Sequence, residues 1–413
     1  MMLRRGLFFL GVLTVISSYV SPCFAMTYDN QFFPFGPIAY SRTYDNYSNI
    51  AADGFYIFAD HARNRVGGEI ELFELFGNYD LKDVAHALEI TGKPNPLRSQ
   101  WRLSNIPYRM HGKLESLGID LAYHQSIAEY LSCGAALTFM NVKTWMEFKP
   151  DVAQIPAAVI AGPGDLGELE RTRRAANEAL GITEFSTNRS GPGDIDAYIR
   201  LGSIWHYPEK FRRIDAGIRL GALIPTGAKR DINNPSSIPF AGNGLAGVYL
   251  AGDVEFELKE DLKVGLWGRV SQRFSKTMCM RMPVEHEPLN FGALVDTFKL
   301  EPGTFFLLSP YLLLQDIREG LGFSIRYLWL HKSEDSIRDI RANRSLHVDL
   351  FQARSRSAWI AEYVSLHALY DANQQENGIG PNLSFVFDIP VRLFGAGQVS
   401  RSYRVLCGIE VHF

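Results

Sequence analysis

The stretch that decides the fold is the last part of the chain, YRVLCGIEVHF, which runs from Tyr403 to Phe413. Every second side chain from Tyr403 onward is apolar, and the side chains between them include Arg404, Glu410 and His412. A period of two residues is typical of a β-strand with two different faces. The segment therefore predicts a strand with an apolar face and a polar face.

The same alternation recurs along most of the chain. It is clearest in the middle, where the segments 193–205, 211–224, 246–258 and 262–274 each combine an apolar face with a charged one. These segments exceed the ~5 to 6 residues usual in soluble sheets and match the ~9 to 11 that cross a bilayer at a tilt. The full set of predicted strands is 53–60, 112–124, 129–141, 193–205, 211–224, 246–258, 262–274, 304–315, 319–331, 356–371, 380–393 and 402–413.

The lengths of the connections support a membrane barrel. Short connections at 125–128, 206–210, 259–261 and 316–318 alternate with longer ones at 142–192, 225–245, 275–303 and 332–355. Short periplasmic turns alternating with longer external loops are typical of transmembrane barrels. We therefore expect an all-β fold, a transmembrane antiparallel up-and-down β-barrel of about twelve strands. Ten and fourteen strands are the alternatives, because residues 70–76 compete with the short first strand.

The N-terminus has the pattern of a secretory signal. Arg4 and Arg5 precede the apolar run from Leu7 to Val20, and small residues stand before a cleavage point after Ala25. We therefore expect residues 1–25 to be a signal peptide.

The rest of the chain is predicted to have two parts. Residues 26–111 hold the first strand and a plug or loop, and residues 112–413 form the main barrel. Helical patterns at 81–90 and 165–180 are expected to be solvated parts of external loops, with a plug in the lumen as the alternative for the first.

Composition excludes several classes of protein. The 413 residues include 42 Lys and Arg against 45 Asp and Glu, and the mean hydropathy is −0.07. These values exclude a bundle of membrane helices and a protein that binds nucleic acid through bulk positive charge. Cys133, Cys279 and Cys407 of the expected mature chain are too few and too scattered for a disulfide framework.

The polar face of the strands predicts the lining of the barrel lumen. Both signs of charge occur on it, which argues against strong selection for one ionic charge. Two interpretations stay open: a path for solutes, or a lattice of ion pairs that only stiffens the wall. The candidate lumen residues are Asp194, Asp196, Arg200, Asp215, Arg219, Asp253, Glu255, Arg269, Arg273, Arg326, Arg404 and Glu410.

Three segments resemble a known family. GPGDIDAYIRLG (Gly191–Gly202), DAGIRLGALIPTG (Asp215–Gly227) and the stretch Gly244–Phe274 resemble the outer-membrane transporter family of the phenol meta-degradation pathway. That family is related to the FadL-type channels for hydrophobic compounds. The resemblance implies passive uptake of small hydrophobic or aromatic molecules.

The terminal strand also implies a location and partners. A final aromatic residue preceded by alternating apolar residues, as in Tyr403–Phe413, resembles the C-terminal signal of bacterial outer-membrane barrels. It implies the outer membrane of a Gram-negative-type bacterium, with outer-membrane lipid and the barrel-assembly machinery as partners. The function we expect is a channel for a small-molecule solute, and the alternative is a structural or surface-interaction barrel with a sealed lumen.

Two local patterns indicate other kinds of site, one catalytic and one metal-binding, as rivals to a channel lumen. His331 and Ser333, with Asn343 downstream, vaguely resemble the constellation of outer-membrane phospholipase A, in which a histidine activates a serine. The run Met278–Met282 near His286 offers soft ligands suited to copper(I).

The wider sequence offers nothing to support an enzyme. It contains no P-loop, no dinucleotide-binding glycine pattern between strand and helix, no Cys-x-x-Cys and no His-Glu-x-x-His. We therefore expect no catalytic residue, no metal site, no cofactor and no enzymatic activity.

Overall fold

The computed structural model describes residues 30–35, 48–162, 164–207, 211–318, 320–372 and 381–412. The expected signal peptide and Phe413 lie outside this part of the chain. Twelve long strands are present in the described part. They are β1 (Asn49–Ala59), β2 (Pro107–Ala128), β3 (Leu131–Pro150), β4 (Ile195–His206), β5 (Arg213–Ile224), β6 (Gly247–Lys259), β7 (Leu262–Arg273), β8 (Phe305–Arg318), β9 (Leu321–Lys332), β10 (Trp359–Asp371), β11 (Pro381–Pro390) and β12 (Tyr403–His412).

The twelve strands form a closed antiparallel barrel in which each strand pairs with its neighbours in sequence. β1 closes it by pairing with both β2 and β12, so Phe55 lies opposite Gly118 on one side and Leu406 on the other. Closure leaves no unpaired edge in the bilayer, where free backbone groups are costly. The predicted transmembrane barrel of twelve strands is confirmed. The segment that competed with the first strand forms a short strand and a 3-10 helix in a loop instead.

The two faces of β2 change character along the strand. Its outward side chains are exposed and apolar from Leu117 to Tyr123, but polar or charged from Arg109 to Glu115. Its inward side chains change in the opposite sense, since Met110 and Leu114 are fully buried hydrophobics while Asp120 lies lower on the same face. The outer face of β2 thus contacts lipid along the lower half of the strand. Along the upper half the outer face is polar, as on the surface of a water-soluble protein.

β2 and β3 consequently extend well beyond the other strands. They have 22 and 20 residues, whereas the terminal strand β12 has 10. β3 changes character at the same height, because Phe139 lies opposite Ile119 and the outward residues above it include Lys143 and Glu147. The predicted strands 112–124 and 129–141 stop close to this height. Above it the apolar residues of β2 and β3 lie on the inward face instead of the outward face.

In the described part of the chain, the five connections of more than twenty residues lie at one end of the barrel, which we call the loop end. Together the residues 60–106, 151–162, 164–194, 225–246, 274–304 and 333–358 form a layer that we call the cap. It contains the helices α1 (Leu81–Ile90), α2 (Asp165–Ala179) and α3 (Leu350–Ser355). Its 3-10 helices are Leu72–Phe76, Ser99–Trp101, Ala157–Val159 and Leu289–Phe291.

Short strands join the cap together and fasten it to the barrel. One three-stranded sheet consists of Lys276–Met282, Leu294–Glu301 and Ser336–Asp339, and a second consists of His61–Arg63, Glu69–Glu71 and Val399–Ser400. Two further strands extend the barrel sheet itself: Tyr79–Asp80 pairs with the top of β2, and Ser186–Pro192 pairs with the top of β3.

The cap shares an apolar core with the upper part of the barrel, so α1 is not a simple solvated helix. The Asp80 carboxylate accepts a hydrogen bond from the backbone N–H of Lys82 at the start of α1, which satisfies one of the free donors of its first turn. Leu81, Val84 and Leu88 then form a buried face. No helix in the described ranges is long and apolar enough to span a membrane.

An N-terminal segment, residues 30–35, lies in the barrel mouth under the cap. The hydroxyl groups of Ser400 and Ser402 donate hydrogen bonds to the carbonyl oxygen of Phe32, at 3.2 and 2.9 Å. The Phe35 ring is fully buried, with its centroid 5.1 Å from that of Tyr363 on the inner face of β10. Residues ahead of the first strand therefore occupy space inside the barrel.

Candidate functional site

The charged side chains predicted to line the lumen lie on the opposite face from the apolar belt. On β4 and β5 the alternating neighbours Ile199, Leu201, Ile218 and Leu220 are between 56% and 65% exposed. Of the candidate residues, Arg219 and Asp253 are half-buried. The buried ones are Asp194, Asp196, Arg200, Asp215, Glu255, Arg269, Arg273, Arg326, Arg404 and Glu410.

One group of these residues connects three strands. Arg269 on β7 donates a hydrogen bond to the carboxylate of Asp196 on β4 at 2.8 Å, and the hydroxyl group of Tyr249 on β6 donates to the same carboxylate at 2.6 Å. The Arg269 guanidinium also lies 3.6 Å from the centre of the Tyr249 ring. Because β5 and β6 separate β4 from β7 in the sheet, Asp196 and Arg269 meet across the interior.

A second group combines two arginines and two aspartates. Arg200 on β4 contacts Asp215 at 3.0 Å and Asp253 at 2.6 Å, and Arg219 contacts Asp253 at 3.3 Å. The four formal charges cancel. Such a group can be buried because each ion has a partner that replaces water.

Further contacts continue this arrangement around the wall. At the loop end Arg273 pairs with Asp194 at 2.8 Å, and Asp194 also accepts a hydrogen bond from the backbone N–H of Gly227. On the opposite side Arg404 on β12 pairs with Asp388 on β11 at 2.5 Å. These ion pairs tie neighbouring strands and a cap loop together.

The remaining candidates also have partners. Glu255 accepts a hydrogen bond from Tyr311 at 2.8 Å, and the Arg326 guanidinium lies 5.3 Å from the centre of the same ring. Glu410 near the end of β12 accepts a hydrogen bond from Asn49 at 2.8 Å. We call this whole network of paired interior charges the lattice.

Glu362 is a buried carboxylate that does not belong to the lattice. It lies on the outward face of β10, where the neighbouring turn covers it. The backbone N–H groups of Leu393 and Phe394 donate hydrogen bonds to its carboxylate, and so does the hydroxyl group of Tyr327, at 3.0 Å. A charge on the lipid side of the wall is thus shielded by the chain itself.

A cavity of about 260 Å³ lies where the cap meets the barrel, and we call it the inner cavity. Its apolar walls include Phe32, Phe76, Met280 and Leu289. Arg273 of the lattice also lines it, so it borders the charged interior. The inner cavity therefore combines an apolar wall with access to the top of the lattice.

Three other arginines line the inner cavity: Arg230, Arg281 and Arg356. Arg281 donates hydrogen bonds to the carbonyl oxygens of three residues, Ile232, Gly292 and Leu180. Arg356 donates to the carbonyl oxygen of Leu75 at 3.3 Å. Arg230 stacks over the Phe76 ring at 4.5 Å.

The cap arginines lack carboxylate partners. Among the residues that the structure describes, none of Arg230, Arg281 and Arg356 forms an ion pair. Burial, and then the nearby charge of Arg281, lower the pKa of Arg230 to about 10, so it is still protonated at neutral pH. Sequence reasoning missed Arg230 because it lies in a loop without a periodic pattern. Arg281 lies in a short cap strand and Arg356 at the start of the predicted strand 356–371, and neither was assigned to the lumen.

A larger cavity of about 1380 Å³ lies between parts of the cap and the top of β2, and we call it the mouth cavity. The cap residues Glu69, Asp80 and Phe351 line it, together with Arg109 at the top of β2. Arg356 lines both this cavity and the inner cavity. The two spaces therefore adjoin.

The rival sites are not assembled. His331 stacks on the Trp329 ring, whereas the hydroxyl group of Ser333 donates a hydrogen bond to the carbonyl oxygen of Thr304. Asn343 accepts a hydrogen bond from the backbone of its own turn.

The methionine run divides its soft ligands between the two faces of its strand, with the three thioethers on one face and the thiol on the other. Met278, Met280 and Met282 pack on the buried cluster around Phe298, while Cys279 is exposed. In the described part of the chain, no group of three or more His, Cys, Asp or Glu side chains has the geometry of a metal site.

No family model and no curated protein sequence matches the chain. Among solved structures, it is similar to an outer-membrane channel from Pseudomonas putida F1, with 10% identity, a TM-score of 0.49, and coverage of 92% of this chain and 100% of that chain. A deletion mutant of TodX, described as a monoaromatic hydrocarbon channel, has 9% identity, a TM-score of 0.34, and coverage of 95% and 97%. A FadL homologue from Pseudomonas aeruginosa has 8% identity, a TM-score of 0.31, and coverage of 89% and 90%. Autotransporter domains match as well, and all these sequences are too distant for a function to be transferred.

Proposed function

We propose that this protein is an outer-membrane channel for the passive uptake of small molecules, with hydrophobic or aromatic compounds as its preferred solutes. The observation that carries the proposal is the inner cavity between the mouth cavity and the charged barrel interior. Its volume of about 260 Å³ is close to the ~300 Å³ at which ligand pockets begin. Its apolar walls suit a small ring or a short alkyl chain.

The order of the spaces supports a route for the solute. Arg356 borders both the mouth cavity and the inner cavity, and Arg273 borders the inner cavity from the lattice side. A solute that enters from the loop end would pass these spaces in turn before it reaches the polar interior. The long loops would then face the outside of the cell and the short turns the periplasm.

Residues 30–35 are the element that has to move for a solute to pass. Phe32 lines the inner cavity, and Phe35 is buried against the inner wall below the cap. The segment is held by backbone and hydroxyl hydrogen bonds to Ser400 and Ser402 rather than by pairing with a barrel strand. A contact of this kind can open without disrupting the barrel sheet.

Location and assembly belong to the same proposal. A secretory signal and a closed barrel with an apolar belt suit the outer membrane, with its lipid as the surrounding solvent. The expected contact of Tyr403–Phe413 with the barrel-assembly machinery stays a prediction. In the folded barrel, β12 pairs with β1 and β11.

Osmotic swelling of liposomes tests the channel. Mature protein is refolded into liposomes, which are diluted into isotonic arabinose and, separately, isotonic sodium benzoate. We expect swelling faster than in protein-free liposomes, and a further increase in Phe35→Ala, because the substitution loosens residues 30–35. Tyr56→Ala, which removes an exposed aromatic ring from the outer face, is the matched control and should leave the rate unchanged.

A sealed structural barrel is the second candidate, and the lattice favours it. Ion pairs such as Asp196 with Arg269 connect strands across the interior and stiffen the wall. Liposomes that do not swell with either the unaltered protein or Phe35→Ala would establish the sealed barrel and refute the channel.

A further inference from the structure

We infer that the inner cavity is a binding site for a small organic anion, in which a carboxylate on an apolar body contacts Arg230 and Arg281. This inference rests on the proposed function, since it names the class of solute that the channel would select. It goes beyond uptake of hydrophobic compounds because it requires a negative charge on the solute.

The first argument is the imbalance of charge around the cavity. Its lining includes five basic residues, Arg230, Arg273, Arg281, Lys332 and Arg356, and one acidic residue, Asp335. Asp335 pairs with Lys332, and Asp194 pairs with Arg273. The other three arginines form no ion pair in the described structure, and the carboxylate of Asp231, which acts at a distance on Arg230 and Arg281, lies outside the cavity lining. A cleft lined by one sign of charge concentrates ligands of the opposite sign.

The second argument is the state of Arg230 itself. It is half-buried, its Nε atom is buried without a hydrogen-bond partner, and its guanidinium lies over the Phe76 ring. Burying a charge without a partner is costly, so an anion that enters the cavity relieves that cost. The planar fork of a guanidinium matches a carboxylate with two parallel hydrogen bonds.

The third argument is a neighbouring cavity that continues the basic surface outward. This side cavity, also about 260 Å³, is lined by Lys229, Arg230, Lys276 and Arg281 and by no acidic residue. It shares Arg230, Arg281 and Met280 with the inner cavity. An anion thus meets a continuous basic lining between the two cavities.

The apolar walls decide which kind of anion fits. Phe32, Phe76, Met280, Met282 and Leu289 face the inner cavity. Burial of a ring or alkyl chain against them is favourable in proportion to the apolar area removed from water. Inorganic phosphate has no such area, and a neutral aromatic molecule has no charge for the arginines. A small aromatic or aliphatic carboxylate satisfies both parts of the site.

Calorimetric titration of the mature protein in detergent tests the inference with three probes: benzoate, benzyl alcohol as its neutral analogue, and inorganic phosphate. We expect saturable binding of benzoate, and at least tenfold weaker binding of the other two. In Arg230→Gln benzoate should bind at least tenfold more weakly, and Arg230→Lys should recover part of the loss, because it restores charge without the fork.

Arg344→Gln is the matched control, because it removes the same charge from an exposed cap position outside the cavity lining. It should leave benzoate affinity unchanged. The inference is overturned if benzyl alcohol or phosphate binds as well as benzoate. It is overturned equally if Arg344→Gln weakens benzoate binding as much as Arg230→Gln does.

The swelling assay separates this inference from the channel proposal. Swelling in neutral arabinose without benzoate binding would refute the anion site and leave the channel. Benzoate binding without swelling in either solute would refute the channel and leave a binding site in a sealed barrel.

Discussion

The lattice and the inner cavity contain the same kind of side chain in opposite arrangements. In the lattice, five arginines each lie 2.5 to 3.3 Å from a carboxylate: Arg200, Arg219, Arg269, Arg273 and Arg404. Around the inner cavity, Arg230, Arg281 and Arg356 contact carbonyl oxygens or an aromatic ring instead.

The difference separates charges that hold the barrel together from charges that are available to a ligand. A paired interior charge has its partner within the protein. Removing one member of the pair leaves the other buried without a partner, and the desolvation cost of that charge is no longer offset. An arginine next to a cavity without an ion pair has no carboxylate partner, so removing it leaves no carboxylate buried without a cation. Stability and binding experiments should therefore respond in opposite ways at the two places.

The largest expected effect is on the lattice. Arg269→Met should lower the free energy of unfolding by about 3–5 kcal/mol, because it leaves Asp196 buried without its cation. Urea unfolding in detergent, followed by tryptophan fluorescence, measures it. The double variant Asp196→Asn with Arg269→Met should recover much of the loss. If Arg269→Met lowers the free energy of unfolding by less than about 1 kcal/mol, the lattice does not stabilise the barrel as proposed.

The second prediction tests where lipid ends on β2. Leu121→Arg places a charge on the lipid-facing half and should cost about 2–4 kcal/mol. Glu115→Arg, on the same face six residues higher, should cost less than about 1 kcal/mol, because that position faces water and the only expected penalty is the like charge of Lys143 opposite it on β3. Unfolding in lipid vesicles compares them, and equal costs would contradict the change of environment.

The third prediction separates the cap from the barrel. An added Cβ at Gly112 would overlap the buried Phe73 ring and lie 2.7 Å from the carbonyl oxygen of Trp145. Gly112→Ala should therefore weaken packing of the cap by about 1–3 kcal/mol. Limited proteolysis of residues 60–106 should be faster, while the barrel unfolds as before. Gly54→Ala is the control, because its nearest atom is 3.9 Å away. If both variants are cleaved at the same rate, the cap does not depend on this contact.

The smallest effect on stability is expected at the inner cavity. Arg230→Gln should change the free energy of unfolding by less than about 0.5 kcal/mol or raise it, because no carboxylate partner is lost. The urea assay used for Arg269→Met measures it in the absence of benzoate. A loss as large as that of Arg269→Met would show that Arg230 is structural and that the contrast between the two regions is wrong.

The twelve strands could be predicted because the part of each strand that crosses lipid repeats the same two-residue pattern. Leu220 and Arg219 on β5 illustrate it, one exposed to lipid and the other facing the interior. The upper halves of β2 and β3 escaped prediction because the solvent changes there. The alternation with apolar residues on the outer face is present only where that face contacts lipid, so it stops where the two strands leave the bilayer.

The helices of the cap illustrate a second limit. Their amphipathic pattern was visible at 81–90, but nothing local indicated what would cover the apolar face of α1. Its position depends on contacts with α2 and on the pairing of Tyr79–Asp80, directly before it, with the top of β2, and both partners are distant in sequence.

The sequence alone determined the class of fold and the two-sided character of the barrel wall, because both are written in the alternation of neighbouring residues. It also placed Asp196, Arg269 and the other lattice residues on one face. Only the tertiary structure decided which charges find a partner. Ion pairing depends on distances between residues far apart in the chain, and these distances pair Arg269 with Asp196 and leave Arg230 beside a cavity.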